Sequence, residues 1–499
     1  MKRFAKMEPY ACLHLLVLVL GTALMISGCF HGGLWFDESY TVGMMRQSFG
    51  DMLRISVADV HPPFYYIALW LFTRVFGCSA VAMRLFSALC ASALGVLGYT
   101  HVRRDFGRRT GLYFSLFLYL CGALLINASE IRMYTLAPLL VALMFLYCCR
   151  YWRSGFTDTR ARALYILFAL LAAYTHWYAL AAAVVTALFL IYPYWKSGRL
   201  ARWFIDAAFL LGLYIPGFCI FFEQATRVKE GFWIDFTYPD VLYDSFRFFA
   251  LGVDPVADAL ETFALVAALL LFGFCLLFHI VCRKSAVDEW RPSGYAMGIV
   301  VCVAALYLIA SALFTPVYHV RYLGVLLAPV AFFLAFAVSK MRFAALRAAF
   351  PLLLCVLLVL RAVPLYREIY SPERNVVQAL ADRIEPGDIV VSENINVFGP
   401  LMMTADAGDY YFYNPGWWPV DVAYEAFAPA LRGCVHDLSE IGTLGGRVWI
   451  IGENGRCDIY DGLQAAFGGL REVGRGEVYQ PYHALDFDWT LYEVDPPQA

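Results

Sequence analysis

The sequence predicts a polytopic α-helical membrane protein with a small α/β domain at its C-terminal end, and three observations lead there. The 499 residues are 61% hydrophobic and only 16% charged, with a mean hydropathy of +0.62; soluble domains carry about 25% charged residues. Apolar runs of about 20 residues recur, each long enough to cross a hydrocarbon core of roughly 30 Å as a helix. After about residue 370 these runs stop, and short helix and strand signals alternate instead. The net charge of −2 and the lack of a basic tract give no sign of nucleic acid as a partner.

Taken in order, the apolar runs place helices near 10–30, 79–102, 111–129, 133–149, 163–177, 178–195, 203–222, 259–282, 295–314, 322–338 and 345–363, about 11 transmembrane helices. Lys2, Arg3 and Lys6 precede the first run, which ends Ile26-Ser27-Gly28-Cys29 like a lipoprotein cleavage site. Cleavage there would discard the first span, so the run is read as a retained helix. Basic residues then fall on alternate connections: 103–109, 150–162, 196–202, 283–291 and 340–347, together with the N-terminus, hold 20 of the 38 Lys and Arg. The positive-inside rule makes these connections cytoplasmic, which puts the N-terminus inside and the C-terminal region outside. Counting the segment 61–77 as a span would reverse every later charge assignment; with Phe64, Tyr65, Tyr66 and Trp70 it reads instead as an amphipathic helix at the outer interface, begun by Pro62-Pro63.

The division that follows is a membrane domain over 1–369, whose outer loop 31–78 carries an acidic pair and interfacial helices, and an extracytoplasmic α/β domain over 370–499. In the latter, ERNVVQALADRI reads as an amphipathic helix, EPGDIVVSE as a turn feeding a strand, GGRVWIIGE as a buried strand and WTLYEVDP as a terminal one. It has no Gly-rich phosphate loop, which argues against nucleotide binding. Among the 14 cysteines no CxxC pair or zinc-ligand spacing occurs; Cys434 and Cys457 share a polar region, and both a disulfide and two free thiols suit them.

Chemistry gathers at one face. Asp37 and Glu38 stand side by side just beyond the first span. A partly desolvated carboxylate is a stronger base, able to take a proton from a hydroxyl; an acidic helix start is the competing reading for the pair alone. His61 follows in the same loop, Glu130 and Arg132 lie in a short turn of INASEIRMY, His176 in AYTHWYAL, and His319, Arg321 and Tyr322 in TPVYHVRYLGVLLAP. Singly, each cation or imidazole reads as a side chain snorkelling to the interface. Together at one face they offer a base and several cations, the groups that handling a membrane-bound phosphate ester requires.

The ordered set WFDESY, HPPFYY, MRLFSAL to RRDFGRRTG, SEIRMYTLAPLL, YTHWYAL, FWIDFTYP and HVRYLGVLLAP resembles the dolichyl-phosphate-mannose–protein mannosyltransferase-like group of the GT-C glycosyltransferases, densest over residues 30–150. That resemblance implies a GT-C fold and inverting transfer of a sugar from a polyprenyl-phosphate-linked donor to a lipid, glycan or protein acceptor on the outer face of the cytoplasmic (inner) membrane. It gives Asp37 the role of catalytic base, with Glu38 shaping the acceptor site or the basicity of Asp37. Arg321 and Tyr322 would hold the donor phosphate, Arg132 would assist with Glu130 holding it in place, and His61 would line the acceptor side. His176 and His319 complete the site candidates. No oxygen-ligand set beyond Asp37 and Glu38 is apparent, so no metal or other cofactor is expected. Two other classes share the composition. A transporter or flippase should show internal repeats and charges near the midplane, and neither is seen here. A non-catalytic envelope-assembly subunit would tolerate loss of Asp37, Arg132 or Arg321.

Overall fold

The computed structural model describes residues 9–230, 234, 240–252, 259–283, 287–370, 376–417, 421–444, 446–452, 458–480 and 485–494. Each of the eleven apolar runs falls on helix. Eight helices among the described residues are long and apolar enough to cross a membrane, and ten spans result if two bent pairs each count as one. The pairs are Arg108–Tyr119 with Gly122–Ala128, bent by 61°, and Leu200–Leu213 with Ile215–Arg227, bent by 59°. The remaining run forms Thr159–Ala173, whose 15 residues reach only about 22 Å at 1.5 Å per residue. The chain is a multi-pass membrane protein.

It divides into two compact units. The first comprises Met1–Cys29, His61–Tyr65 and Arg84–Pro364; the second comprises Phe30–Val60, Tyr66–Met83 and Leu365–Ala499.

Within the first unit Leu327–Lys340 is apolar up to Ser339 and buried from Leu327 to Ser339. A helix without a polar stripe is stable only when other helices surround it or lipid does, and here Arg108–Tyr119, Leu136–Arg153, Ala259–Arg283 and Val287–Leu313 pack on it. Thr110 and Ser339 share a hydroxyl hydrogen bond of 2.9 Å across one of these contacts. The first span, α1 (Pro9–Ser27), is seated by small residues: a Cβ on Gly21 would stand 2.2 Å from the Tyr119 ring, and one on Gly95 2.3 Å from its other end. Glycine lets the helices close on that ring, and the Tyr119 hydroxyl donates to the Ser92 carbonyl at 2.9 Å.

The second unit holds three short helices, α2 (Phe36–Arg46), α3 (Phe49–Ala58) and α4 (Phe64–Phe76, from Tyr66 on), together with a six-stranded sheet. At 13 residues α4 is too short to span. Its Arg74 donates to the Met45 carbonyl at 2.6 Å and its Trp70 to the Gln47 carbonyl at 3.2 Å, which ties α4 to the end of α2. Helix α2 in turn packs on Ile395–Thr404 and on the turn Glu425–Phe427, each at a glycine. A Cβ on Gly43 would meet the Ala426 carbonyl at 2.6 Å, and one on Gly399 the Ser39 hydroxyl at 2.7 Å.

The sheet contains β1 (Ile389–Ser392), β2 (Asp409–Tyr413), β3 (Leu431–Val435), β4 (Arg447–Gly452), β5 (Leu470–Gln480) and β6 (Leu485–Val494), in the order β3-β2-β1-β4-β6-β5. Strands β1 to β4 run parallel; β6 pairs antiparallel with β4 and β5. The turn before β1 is fixed by Asp388, whose carboxylate accepts from the Glu385 amide at 3.0 Å and from the Trp449 indole at 2.7 Å. Burial on β1 and β4 is continuous, the pattern of strands covered on both faces. Cys434 is a free thiol pushed up to about 12 by burial and by the Asp421 carboxylate, and Cys457 lies outside the described residues.

Candidate active site

In the second unit the acidic pair opens α2. The N-cap is Trp35, so Asp37 and Glu38 occupy the first helical turn and do not cap it with a side chain. Their charges there favour the helix dipole. Glu38 is fully buried and Asp37 half-buried. The close contacts of Gly43 with Ala426 and of Ser39 with Gly399 fix where this turn sits within its unit.

The first unit gathers the other candidates. Glu130 and Arg132 lie in the short stretch between Gly122–Ala128 and Leu136–Arg153, and both are buried. Arg321 is the second residue of the 3₁₀ turn Val320–Leu326, and its guanidinium forms an ion pair with Glu130; the two side chains are 12% and 5% exposed. The Arg321 guanidinium carbon also lies 4.7 Å from the centre of the Tyr134 ring, a cation–π contact. Tyr322 stacks on Tyr134 with ring centres 6.2 Å apart, and His319 stands 5.3 Å from Tyr322.

His61 and His176 face each other with ring centres 5.4 Å apart, and both touch Tyr322, at 5.9 and 5.1 Å. His176 precedes the helix Trp177–Phe189, and its Nδ1 accepts the Tyr178 amide at 3.1 Å. In the neutral ring the proton therefore sits on Nε2, a donor with no hydrogen-bond partner among the described residues. His61 Nδ1 also finds none among them. Its imidazole is held well below its usual range, by burial first and then by Arg132, the neighbouring imidazole of His176 and Arg321. His61, expected to line the acceptor side, thus stands against the rings of His176 and Tyr322.

Sequence reasoning passed over three members of this group. Tyr134 and Tyr178 each lie two residues beyond a candidate, Arg132 and His176, inside motifs already quoted. Asn127 Nδ2 is buried without a hydrogen-bond partner among the described residues, 3.4 Å from the Cβ position of Gly324. A buried amide next to an Arg-Tyr turn was the available signal. Of the resembling motifs, FWIDFTYP lies outside the described residues apart from Ile234. Among the described residues no group of three or more His, Cys, Asp or Glu is placed to hold a metal ion.

Two guanidiniums, one carboxylate and two imidazoles thus belong to one unit, set among the rings of Tyr134, Tyr178 and Tyr322. The family model for dolichyl-phosphate-mannose-protein mannosyltransferase matches residues 60–221, which take in His61, Glu130, Arg132 and His176. The crystal structure of ArnT from Cupriavidus metallidurans in the apo state is similar over 98% of this chain and 100% of that one, at 10% identity and a TM-score of 0.57. The chain has a GT-C fold. A second ArnT structure from that organism, bound to undecaprenyl phosphate, matches at 11% identity and a TM-score of 0.57, over 98% of both chains. No curated protein matches the sequence. The family resemblance drawn from the ordered motifs thus stands, and so does the fold class, a polytopic helical protein with a small C-terminal α/β domain.

Proposed function

We propose that this chain transfers a sugar from a polyprenyl-phosphate-linked donor to a lipid, glycan or protein acceptor on the outer face of the cytoplasmic membrane, with inversion at the anomeric carbon. The observation that carries the reading is the buried group of Arg321, Arg132, Glu130, Tyr322, His61 and His176. A sugar phosphodiester bears a negative charge, which guanidinium groups attract. Arginine suits the role because it stays charged and offers parallel N–H donors to phosphate oxygens.

In this mechanism Asp37 takes the proton of an acceptor hydroxyl as its oxygen bonds to the anomeric carbon. The bond from that carbon to the phosphate oxygen breaks, and polyprenyl phosphate leaves with the electron pair. The leaving phosphate gains negative charge as the bond breaks, so Arg321 and Arg132 stabilise the transition state more than the bound donor. Neutral His61 and His176 add hydrogen bonds without adding charge. Glu38, buried beside the base, holds the acceptor site in shape. The polyprenyl tail lies among the spans, retained by about 0.8 kcal/mol for each buried CH₂. No metal is required by this scheme. The N-terminus is placed in the cytoplasm and the C-terminal domain outside. That the similar ArnT was crystallised with undecaprenyl phosphate supports the donor class.

The test uses the purified chain in nanodiscs with a panel of radiolabelled polyprenyl-phosphate sugars, with membrane extract as the source of acceptor. Release of polyprenyl phosphate by the parent and not by Asp37→Asn establishes the class and names the sugar. Absence of release from every donor moves the weight to a transporter or assembly role.

A further inference from the structure

At the carboxyl ends of β2 and β3 the second unit presents a feature for which the transfer step has no use. Strand β2 runs out through Asn414, Pro415 and Gly416 to Trp417, and β3 through His436. Trp417 is 72% exposed, and its ring stacks on His436 with centres 3.5 Å apart and planes 9° from parallel. The imidazole is itself fixed, its Nδ1 donating to the Asn414 carbonyl at 2.8 Å and its Nε2 standing 3.7 Å from the Asp421 carboxylate. The Trp417 amide donates to the same Asn414 carbonyl at 3.2 Å, and Asn414 is buried in the ladder with its amide on the Val435 carbonyl at 2.8 Å. Trp417 sits at φ 52, a left-handed conformation that a bulky residue rarely adopts and that glycine or asparagine takes at less cost. One face of the indole is therefore covered by a ring locked to the sheet, and the other is turned to solvent.

We propose that Trp417, His436 and Asp421 form a saccharide-binding platform distinct from the transfer site. The open face of an indole is electron-rich and attracts the weakly positive C–H groups on the flat side of a pyranose. A sugar is apolar on that side and polar around its edge. The platform has the same division, a single aromatic face flanked by an Asp421 side chain that is 56% exposed and ready to accept hydroxyl hydrogen bonds. A protein partner would instead need a contiguous apolar patch of a few hundred Å². The choice of saccharide as ligand class rests on the transferase reading, and the platform gives a glycan acceptor a second hold.

The test is saturation-transfer NMR on the full chain in nanodiscs, with mannotriose, chitotriose and cellotriose as probes. The parent should transfer saturation to the ring C–H protons of at least one probe. Trp417→Asn removes the ring while suiting the left-handed backbone, and it should lower that transfer by about tenfold, whereas Trp417→Phe should keep a good part of it. Asp421→Asn should weaken binding by about threefold, with the aromatic contact intact. Unchanged melting temperatures show that the variants fold. No transfer to any probe in the parent, or equal transfer in Trp417→Asn, overturns the proposal. Donor turnover by the parent and by Asp37→Asn is measured on the same samples. Asp37-dependent release without saccharide binding removes the platform alone, and saccharide binding without release removes the transferase reading alone.

Discussion

Replacing Glu130 by glutamine removes one charge from the ion pair with Arg321 and leaves the side chain's size unchanged. The two side chains are 12% and 5% exposed, so the pair is largely withdrawn from water. At an effective dielectric near 20 and about 4 Å, two unit charges attract by about 4 kcal/mol. Removing one partner of a buried pair costs about 3–5 kcal/mol, because the other charge is left without compensation. With an unfolding entropy of about 2.1 cal/mol/K per residue, a unit of roughly 300 residues gains about 0.6 kcal/mol/K, and the melting temperature should fall by about 5–8 °C. Glu130→Gln also removes a carboxylate beside Arg321, so inhibition by polyprenyl phosphate, the proposed product, should strengthen. The assay is thermal unfolding in detergent for the two single variants and for Glu130→Gln with Arg321→Gln. The double variant holds no buried charge at the pair and should recover most of the loss. A single variant melting within about 1 °C of the parent, or a double variant showing the sum of the single losses, would refute the reasoning.

Three further outcomes are expected. Gly43→Ala places a methyl group 2.6 Å from the Ala426 carbonyl, so α2 must shift; stability should drop by about 1–3 kcal/mol, and transfer should fall with it because Asp37 rides on that helix. Tyr322→Phe keeps the ring contacts with Tyr134, His61 and His176 and deletes only the hydroxyl, so KM for the donor should rise about fivefold with little change in melting temperature. The folded-state imidazole of His61 is held below its ordinary value, so as pH falls below about 6.5 the unfolded chain takes up a proton that the native chain refuses. The parent should lose stability between pH 7 and 5, and His61→Gln should lose less; parallel pH profiles of melting temperature would show that His61 is not the group responsible.

Much of the architecture was legible because it depends on local composition. A run of about 20 apolar residues must be helical in a bilayer, since no water is there to satisfy its backbone groups. The alternating signals after residue 370 likewise marked strands, and β1, β4 and β6 fall on the quoted segments. The helix breaks at Leu120-Cys121 and at Tyr214 were not legible, because composition there stays apolar while the backbone bends by 61° and 59°. Nor was the arrangement of α2: Asp37 and Glu38 are visible as an acidic pair, but the glycine contacts that hold their helix come from residues more than 350 positions away.

The sequence by itself determined which residues carry charge or imidazole near the ends of spans, and the order in which they occur. Only the tertiary structure decided which of them meet. Arg321 and Glu130 are 191 residues apart yet form one ion pair, and His61 reaches His176 and Tyr322 across three separate segments. Periodicity and propensity act within a turn or two of helix. Pairing across such distances is selected when the helices pack, because a charge buried in a water-poor interior is stable only beside its partner.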